Sequence, residues 1–339
     1  MGYHCVVDEM ISMNCSDTED LAKDLRFRVV IGSQALAGIV SFIISSIVLK
    51  RCSKLYFHVN CKIMIASMLV IFIIHSIFIT TLQGMHLFRY LTISNPCEIL
   101  VQSSICFSLR YPTTTCTVCM ILLELSMIIE RAIALWKRSE YDSFGPKIGI
   151  TLVIASVVVA VLSCAWALNE EDFSQRYAYC SPSTAKTTKN MMILVFVSSG
   201  ISALTICGVV ILSVFNSSAK RRNRFHLNTS YQIRENESVL RLLLPLDIFQ
   251  ATISGITLIS GYVILIFKEH VSVVTFRILL ALSNLFPFYT VVTPILLWFI
   301  IRLSRSRKAD KMDAMKRKQT ETENDIYFRT YGEMWGHRR

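Results

Sequence analysis

Long apolar runs separated by short polar stretches are the main pattern along this chain. A helix needs about 20 apolar residues to cross the hydrocarbon core of a bilayer, whereas a barrel strand alternates over about 10 residues. Seven runs reach the helical length and stay apolar throughout, so helices are predicted rather than strands. The pattern predicts an all-α membrane protein, a seven-helix transmembrane bundle, with helices near residues 27–49, 63–85, 103–135, 148–168, 191–215, 239–267 and 278–301.

The connecting segments are short and no internal repeat is visible, which predicts one seven-helix domain over residues 27–301. Residues 1–26 and 302–339 flank this domain. The acidic character of the first segment is unlike a cleavable signal peptide, so the first helix is expected to direct membrane insertion. Pro112 interrupts the long third run, which makes the start of that helix the least defined boundary.

The amino-acid composition argues against a water-soluble protein. Hydrophobic residues make up 53% of the chain and charged residues only 17%, whereas soluble domains carry about 25% charged residues. The net charge of +11 resides in loops beside apolar runs and not on a face with interleaved aromatic residues. The sequence therefore indicates a lipid bilayer as the partner of these charges, and no nucleic acid.

Lysine and arginine are distributed unequally between alternate loops. The loops at 50–62, 137–147, 216–241 and 302–339 hold 24 of them, and the other set holds 10. Basic loops tend to remain in the cytoplasm. The N-terminus is therefore expected outside the cell, and the C-terminus in the cytoplasm.

Four N-x-S/T triplets bear on this orientation. Asn14 lies in the predicted outer segment and is the glycosylation candidate. Asn216, Asn228 and Asn236 lie in a predicted cytoplasmic loop and are interpreted as chance matches. A glycan on any of these three asparagines would invert the orientation.

The tail, residues 302–339, is basic and polar. Residues 308–318 place Met312 and Met315 on one side of a helix, which is typical of a short helix lying along a membrane. A solvated tail without membrane contact is the alternative, and the sequence does not decide between them.

An acid–arginine pair marks the cytoplasmic end of the third segment, in the string ERAIA that begins at Glu130. An ionised arginine at the edge of the hydrocarbon is costly unless it is paired, and Glu130 is the adjacent acid. One interpretation is a switch, in which Arg131 is held by acids in one state and released toward a cytosolic partner in another. The alternative is an arginine that reaches the membrane surface and anchors the helix end.

Cys106 precedes Arg131 by 25 residues, or about 38 Å of helix, which is nearly the thickness of a membrane with its headgroups. Cys106 is therefore expected at the outer face, in an oxidising compartment. Cys180 lies midway along the next outer loop, and a Cys106–Cys180 disulfide would hold this loop over the bundle. Cys97 is the alternative partner, and two N-terminal cysteines are also expected outside.

Two acids, Glu124 and Asp247, lie inside predicted spans. An ionised acid at mid-bilayer costs about 2.5–3.5 kcal/mol on insertion scales, so both side chains are expected to face the bundle interior. Asp247 joins Glu130 and Arg131 as a candidate for the switch, with ordinary packing as the alternative. Pro245 lies two residues before Asp247 and predicts a hinge in the sixth helix.

A pocket for a small molecule is expected between the third, fifth, sixth and seventh helices, below the loop at 169–190. Its candidate lining groups were chosen by depth alone, and ordinary helix packing is the alternative at each position. They are Thr113, Thr114, Thr117, Ser198, Ser199, Ser260 and Asn284.

Enzyme chemistry finds no support in the sequence. It contains no G-x-S-x-G elbow, no H-E-x-x-H and no glycine-rich phosphate loop, so no activity and no cofactor are expected. His75 is the one histidine well inside a span, which leaves no intramembrane metal site. Cys116 and Cys119 lie one helical turn apart and are interpreted as packed thiols.

Residues 227–250, LNTSYQIRENESVLRLLLPLDIFQ, resemble the junction of the third inner loop and the sixth helix in nematode serpentine chemoreceptors of the alpha and alpha/beta classes, Sra and Srab, which are rhodopsin-like receptors. Further matches are Pro96-Cys97, Cys106 with Arg110, the string ERAIALWKRSEYD, Tyr327-Phe328 and Trp335. The chain departs from general rhodopsin-like receptors because its second segment carries no acid, and its seventh reads TPILL without the usual asparagine and tyrosine.

The resemblance implies a G-protein-coupled receptor in the plasma membrane, in the cilia of sensory neurons, that detects small environmental chemicals and activates a heterotrimeric G protein. It also implies that Glu130 and Arg131 act as the switch pair. A ligand-gated seven-helix ion channel and a small-molecule transporter remain the alternatives. The channel alternative has a cytosolic N-terminus, and a transporter would accumulate its substrate without a G protein.

Overall fold

The computed structural model describes residues 15–52, 58–93, 95–137, 141–184, 186–222 and 227–336. Most of this chain is helical. The helices are α1 (Cys15–Lys23), α2 (Leu25–Cys52), α3 (Val59–Thr92), α4 (Ser103–Trp136), α5 (Lys147–Ala167), α6 (Thr188–Arg222), α7 (Leu227–Ile266), α8 (Val273–Ser283) and α9 (Phe286–Gly336). The described ranges also hold 3₁₀ helices at Pro96–Glu98, Tyr141–Phe144 and Lys268–His270, with strands β1 (Val101–Gln102) and β2 (Arg176–Tyr177).

Six stretches of the described chain are long and apolar enough to cross a membrane, and they correspond to six of the seven predicted segments. The remaining segment is α4, which is not among the six. This helix has 34 residues, and its four charged side chains are all buried. Length and composition therefore show six membrane-crossing helices, with α4 packed among them.

Two predicted features of the helices differ from the structure. Pro112 lies inside α4, which is continuous from Ser103 to Trp136, because a proline removes one hydrogen bond without necessarily ending a helix. The seventh predicted segment is divided into α8 and the first part of α9. The division falls at Asn284, whose ψ of 86° lies outside the helical region.

α4 is the central helix and contacts α3, α5, α6 and α7. α2 packs along α3 and also contacts α8. Small polar residues also link α3, α2 and the start of α9: Ser76 Oγ donates to Ser41 Oγ at 2.8 Å, and Ser41 Oγ donates to the Thr290 carbonyl at 2.9 Å. Such residues let helices approach closely.

The end of the bundle that carries Cys106 is covered by other chain segments, and we call it the disulfide end. Strands β1 and β2 pair antiparallel there, with Val101 opposite Tyr177. A neighbouring apolar cluster joins α1, α2, α3 and α8 and includes Leu21, Phe27 and Ile278. The opposite end of α4 carries Arg131, and we call it the arginine end.

Residues 297–336 belong to a second compact unit of the chain. They are helical throughout, as the later part of α9, so the helix is longer than the predicted stretch at 308–318. Tyr327, Phe328 and Tyr331 are exposed, and the rings of Tyr327 and Tyr331 stack with centroids 6.2 Å apart. The bundle unit ends at Leu296, five residues before the predicted boundary at 301.

Candidate functional site

A cavity of about 710 Å³ lies at the disulfide end. Its walls come from α3, α4, α6, α7 and α8, and the loop between α5 and α6 contributes Tyr179 and Cys180. Cavities of this size hold small organic ligands. Most of the lining is apolar and includes Ile79, Leu82, Met191, Val195, Leu280 and Phe286.

Four of the seven residues named from the sequence as pocket candidates line this cavity. The structure brings Thr113, Thr114, Thr117 and Asn284 to the cavity wall. The first three also donate their hydroxyl hydrogens to α4 carbonyl groups one turn earlier, for example Thr113 Oγ1 to Leu109 at 2.8 Å.

Three predicted lining residues, Ser198, Ser199 and Ser260, are not among the residues that line the cavity. The Ser199 hydroxyl donates to the Ser254 carbonyl on α7 at 3.3 Å, so it serves the α6–α7 contact. Ser260 donates to its own helix, to the Ile256 carbonyl at 2.7 Å. The hydroxyls of Ser199 and Ser260 therefore serve helix packing.

The loop over the cavity is held by a disulfide and by an ion pair. Cys106 and Cys180 are joined with their Cα atoms 5.2 Å apart, the pairing favoured from the sequence. Cys97, the alternative partner, is also disulfide-bonded. Arg110 Nη2 donates to Glu171 Oε2 at 2.5 Å, and Arg110 Nη1 donates to the Ser181 carbonyl at 2.9 Å.

An adjacent pair at the surface contrasts with this buried one. Lys186 Nζ lies 3.0 Å from Asp172 Oδ2, and both side chains are partly exposed. Hydrogen bonds from Ser174, followed by the bond from Lys186, hold the pKa of Asp172 well below its usual range. The loop therefore has one ion pair inside the protein and another at its surface.

Amide groups cross between helices near the cavity. Gln83 Nε2 donates to Gln34 Oε1 at 2.6 Å and to the Tyr179 hydroxyl at 3.2 Å. Gln34 Nε2 in turn donates to the Ala281 carbonyl of α8 at 2.7 Å. This network connects α2, α3 and α8 with the loop, and it occupies the amide donors of Gln83.

The arginine end carries a buried charged cluster. Glu130 and Arg131 are each only 1% exposed, and Arg131 Nε donates to Glu130 Oε2 at 2.5 Å. Arg131 Nη2 and the Tyr141 hydroxyl both donate to the other oxygen, Oε1, of Glu130. Burial raises the pKa of Tyr141, so its hydroxyl keeps the proton that it donates.

Close packing of α3 against α5 positions Tyr141. Asn60 Nδ2 donates to the Tyr141 hydroxyl at 3.1 Å, and the Gly149 amide donates to Asn60 Oδ1 at 3.1 Å. A Cβ atom at Gly149 would lie 3.0 Å from the Asn60 Cα and 3.1 Å from its carbonyl oxygen. Glycine is therefore what allows the helices to approach at this point.

Asp247 does not join this cluster, contrary to its predicted place in the switch. The Arg131 cation interacts with Glu130 and Tyr141 among the described residues, and Asp247 instead lies near Glu124. The Tyr289 hydroxyl donates to Glu124 Oε1 at 2.8 Å, whereas neither carboxylate oxygen of Asp247 has a hydrogen-bond partner among the residues that the structure describes. Both acids are buried, as expected, and Pro245 lies inside the continuous helix α7.

Two of the predicted chance glycosylation matches are buried between α6 and α7. Asn216 and Asn236 are each 2% exposed, and Asn236 Nδ2 donates to Asn216 Oδ1 at 3.4 Å. A side chain in this position has no room for a glycan. Asn14 lies outside the described residues, and the side-chain surroundings of Asn228 are likewise outside them.

The sequence missed three residues that the structure brings to these sites. Glu171 and Arg277 were counted as parts of outer loops, and Tyr141 was quoted only as part of a matching string. Arg277 is the only charged residue in the stretch from Val273 to Ser283, and that isolation was a usable signal. Among the described residues, no group of three or more metal-binding side chains was found, and Cys116 and Cys119 are buried free thiols.

Comparison of the chain with known proteins finds serpentine receptors in every case reported below. A family model described as "Serpentine type 7TM GPCR receptor class ab chemoreceptor" matches residues 12–336. Serpentine receptor class alpha/beta-14 of Caenorhabditis elegans is 26% identical over 220 residues, which are 61% of this chain and 55% of that protein. Serpentine receptor class alpha-39 of the same nematode is 24% identical over 259 residues, 75% of this chain and 68% of that protein.

Serpentine receptor class beta-17 is 25% identical over 211 residues, 60% of this chain and 58% of that protein. The chain therefore spans little more than half the length of two of these relatives. The family model, in contrast, covers nearly the whole chain, including α4 and both ends of the bundle. The chain is a multi-pass membrane protein, and it belongs to the serpentine class ab chemoreceptor family.

Proposed function

We propose that this protein is a chemosensory G-protein-coupled receptor, which binds a small environmental ligand and activates a heterotrimeric G protein. One observation carries the proposal: α4 connects a cavity at one end with a buried, fully paired arginine at the other. Along α4, the cavity-lining residues Arg110 to Thr117 precede Arg131 by 14 to 21 residues, or about 21–32 Å of helix. A receptor needs this arrangement, because it must sense on one side of a membrane and respond on the other.

The disulfide end is the outer, ligand-binding side in this proposal. The Cys106–Cys180 bond and the Arg110–Glu171 ion pair hold the loop in place, so the cavity is formed before a ligand arrives. A preformed site does not have to be ordered on binding, which favours affinity. The N-terminus is then extracellular, and residues 1–26 precede the bundle.

The arginine end is the cytoplasmic side. Glu130 and Tyr141 hold Arg131 in the state that the structure describes, and this state has no exposed guanidinium. A ligand that favours another packing of α7, with Pro245 as the hinge, would release Arg131 toward the inner surface. The freed cation and residues 216–241 would then receive a helix of the G protein.

The location follows from the same proposal. The receptor resides in the plasma membrane, in the cilia of sensory neurons, with the basic residues 302–339 in the cytoplasm. Epitope tags on each terminus, tested with antibodies in intact and permeabilised cells, measure this directly. An N-terminal tag that is reached only after permeabilisation would contradict the orientation and would fit the seven-helix channel instead.

The signalling step is tested with Arg131→Ala. Cells that express the receptor are screened with volatile and water-soluble compounds, with calcium and cAMP as readouts, and active compounds are applied to the variant. We expect at least a roughly tenfold loss of response with normal surface delivery, because the switch cation is absent. Arg26→Ala, at the exposed start of α2, is the matched control and is expected to respond normally. Unchanged signalling by Arg131→Ala would refute its assigned role.

A further inference from the structure

Arg277 lines the cavity although only 5% of its surface is exposed. It precedes Ile278 on α8, and both Ile278 and Ala281 are buried in the apolar cluster that includes Phe27 and Tyr90. The side chain is therefore held inside the protein, at the wall of a mostly apolar space.

No anionic group balances Arg277 within the described part of the chain. Its Nε atom is buried and has no hydrogen-bond partner there, and the side chain forms none of the ion pairs. Its electrostatic neighbours are the phenol groups of Tyr90, Tyr177 and Tyr179. Burial raises the pKa of both Tyr177 and Tyr179, so their hydroxyls remain neutral and supply no negative charge.

The described residues that line the cavity include no aspartate and no glutamate. Three further cations contribute to the lining, namely Arg110, Lys189 and Lys268. Arg110 is neutralised by Glu171, which lies outside the lining. Lys189 is exposed, and Lys268 is half-buried. The described cavity wall is therefore positively charged, and Arg277 is its buried cation without an anionic partner among the described residues.

A neutral ligand would leave this guanidinium unpaired, and an unpaired buried ion is strongly disfavoured. A carboxylate removes the imbalance, because its two oxygens match the parallel N–H donors of arginine. Arg110 already has an anionic partner: its Nη2 donates to Glu171 and its Nη1 to the Ser181 carbonyl, and its Nε alone lacks a hydrogen-bond partner among the described residues. Gln83 donates to Gln34 and Tyr179.

We infer that the cavity binds an aliphatic carboxylic acid, whose carboxylate pairs with Arg277 and whose apolar chain fills the space between α3, α6 and α8. Met191 and Leu280 are among the side chains that would contact this chain. The more accessible Lys189 and Lys268 give the site a positive field that attracts anions. The inference rests on the proposed function only in taking this cavity as the ligand site.

The test measures binding to the purified full-length receptor in lipid nanodiscs. Hexanoate, octanoate and decanoate are compared with the amides of the same chain lengths, and the shift in melting temperature is followed as a function of concentration. The acids are expected to stabilise the receptor and to bind at least about thirtyfold more tightly than the amides, because the amides leave the buried cation unpaired.

Substitutions at Arg277 test the assigned partner. Arg277→Gln is expected to abolish the preference for acid over amide, and Arg277→Lys to retain part of it, because lysine keeps the charge without the paired donors. Arg176→Gln is the matched control, since Arg176 is exposed on β2 and does not line the cavity. If Arg277→Gln does not fold, the comparison of acids with amides on the unmutated receptor still tests whether the cavity prefers a carboxylate.

Three results would overturn the inference: no stabilisation of the unmutated receptor by any of the acids, equal binding of acids and amides, or a preference for acids that survives in Arg277→Gln. These measurements need no G protein. Binding of acids without any signalling would contradict the proposed function and leave the inference standing. If only neutral compounds produced signalling and no acid bound, the proposed function would stand and the inference would be contradicted.

Discussion

Removal of the charge on Glu171 is the sharpest test of how the loop is held over the cavity. Glu171 accepts hydrogen bonds from Arg110 Nη2 at 2.5 Å, Ser103 Oγ at 3.2 Å and Thr184 Oγ1 at 3.3 Å. The side chains of Glu171 and Arg110 are 1% and 3% exposed. Glu171→Gln keeps the shape of the residue but leaves the Arg110 cation buried without an anion.

Loss of one partner from a buried ion pair typically destabilises a protein by about 3–5 kcal/mol. Total stabilities are about 5–15 kcal/mol, so the expected loss is a large fraction. At roughly 2 °C per kcal/mol, the melting temperature should fall by about 6 °C or more. A thiol-reactive fluorophore measures it, because Cys52, Cys116 and Cys164 are buried free thiols that become reactive on unfolding.

Two comparisons make the result specific. Asp172→Asn removes the neighbouring acid, whose partner Lys186 is exposed, and is expected to change the melting temperature little. Arg110→Gln combined with Glu171→Gln removes the unpaired cation, so the double variant should be more stable than Glu171→Gln alone. A normal melting temperature for Glu171→Gln, or no energetic coupling between the two positions, would refute the reasoning.

Two further predictions concern the arginine end. Tyr141→Phe removes the hydrogen bond that the Tyr141 hydroxyl donates to Glu130 and the one that it accepts from Asn60. Basal calcium or cAMP signalling should therefore rise, and the receptor should lose about 1 kcal/mol of stability. Basal signalling at or below that of the unmutated receptor would contradict this prediction. Gly149→Ala places a methyl group against the Asn60 backbone and should lower stability by about 1–3 kcal/mol, measured as a lower melting temperature. Gly84→Ala is the control, because a Cβ there meets no atom within 4 Å, and equal melting temperatures for the two glycine variants would argue against the close approach.

The positions of the long helices could be predicted from the sequence because hydropathy is a local property. The apolar run at 103–135 became α4, which ends at Trp136, and the run at 148–168 became α5, which ends at Ala167. Local conformation was harder to predict. The run at 278–301 was assigned to one helix on hydropathy alone, although the polar pair Ser283-Asn284 followed by Pro287 is a helix-stop signal.

The face that a residue presents could not be predicted in the same way. Thr113 and Ser199 were both chosen by counting residues along their helices, yet only Thr113 lines the cavity. Depth follows from the rise per residue, whereas the direction of a side chain depends on how the helix is rotated against its neighbours. The direction of the Asp247 side chain could not be predicted either. The sequence assigned Asp247 to the switch, whereas the packing of α7 places it beside Glu124.

The sequence by itself determined that this protein resides in a membrane and that it is helical. Long apolar runs require a lipid environment, and a segment in lipid becomes a helix because each backbone polar group must find its hydrogen-bond partner within that segment. The strings of matching residues in the sequence also indicated the family to which the protein belongs. Only the tertiary structure decided which charges are paired. Arg110 pairs with Glu171, which follows it by 61 residues, while Arg277 pairs with no acid within the described chain. Such partnerships arise between distant segments, and they depend on the packing of whole helices rather than on any local pattern.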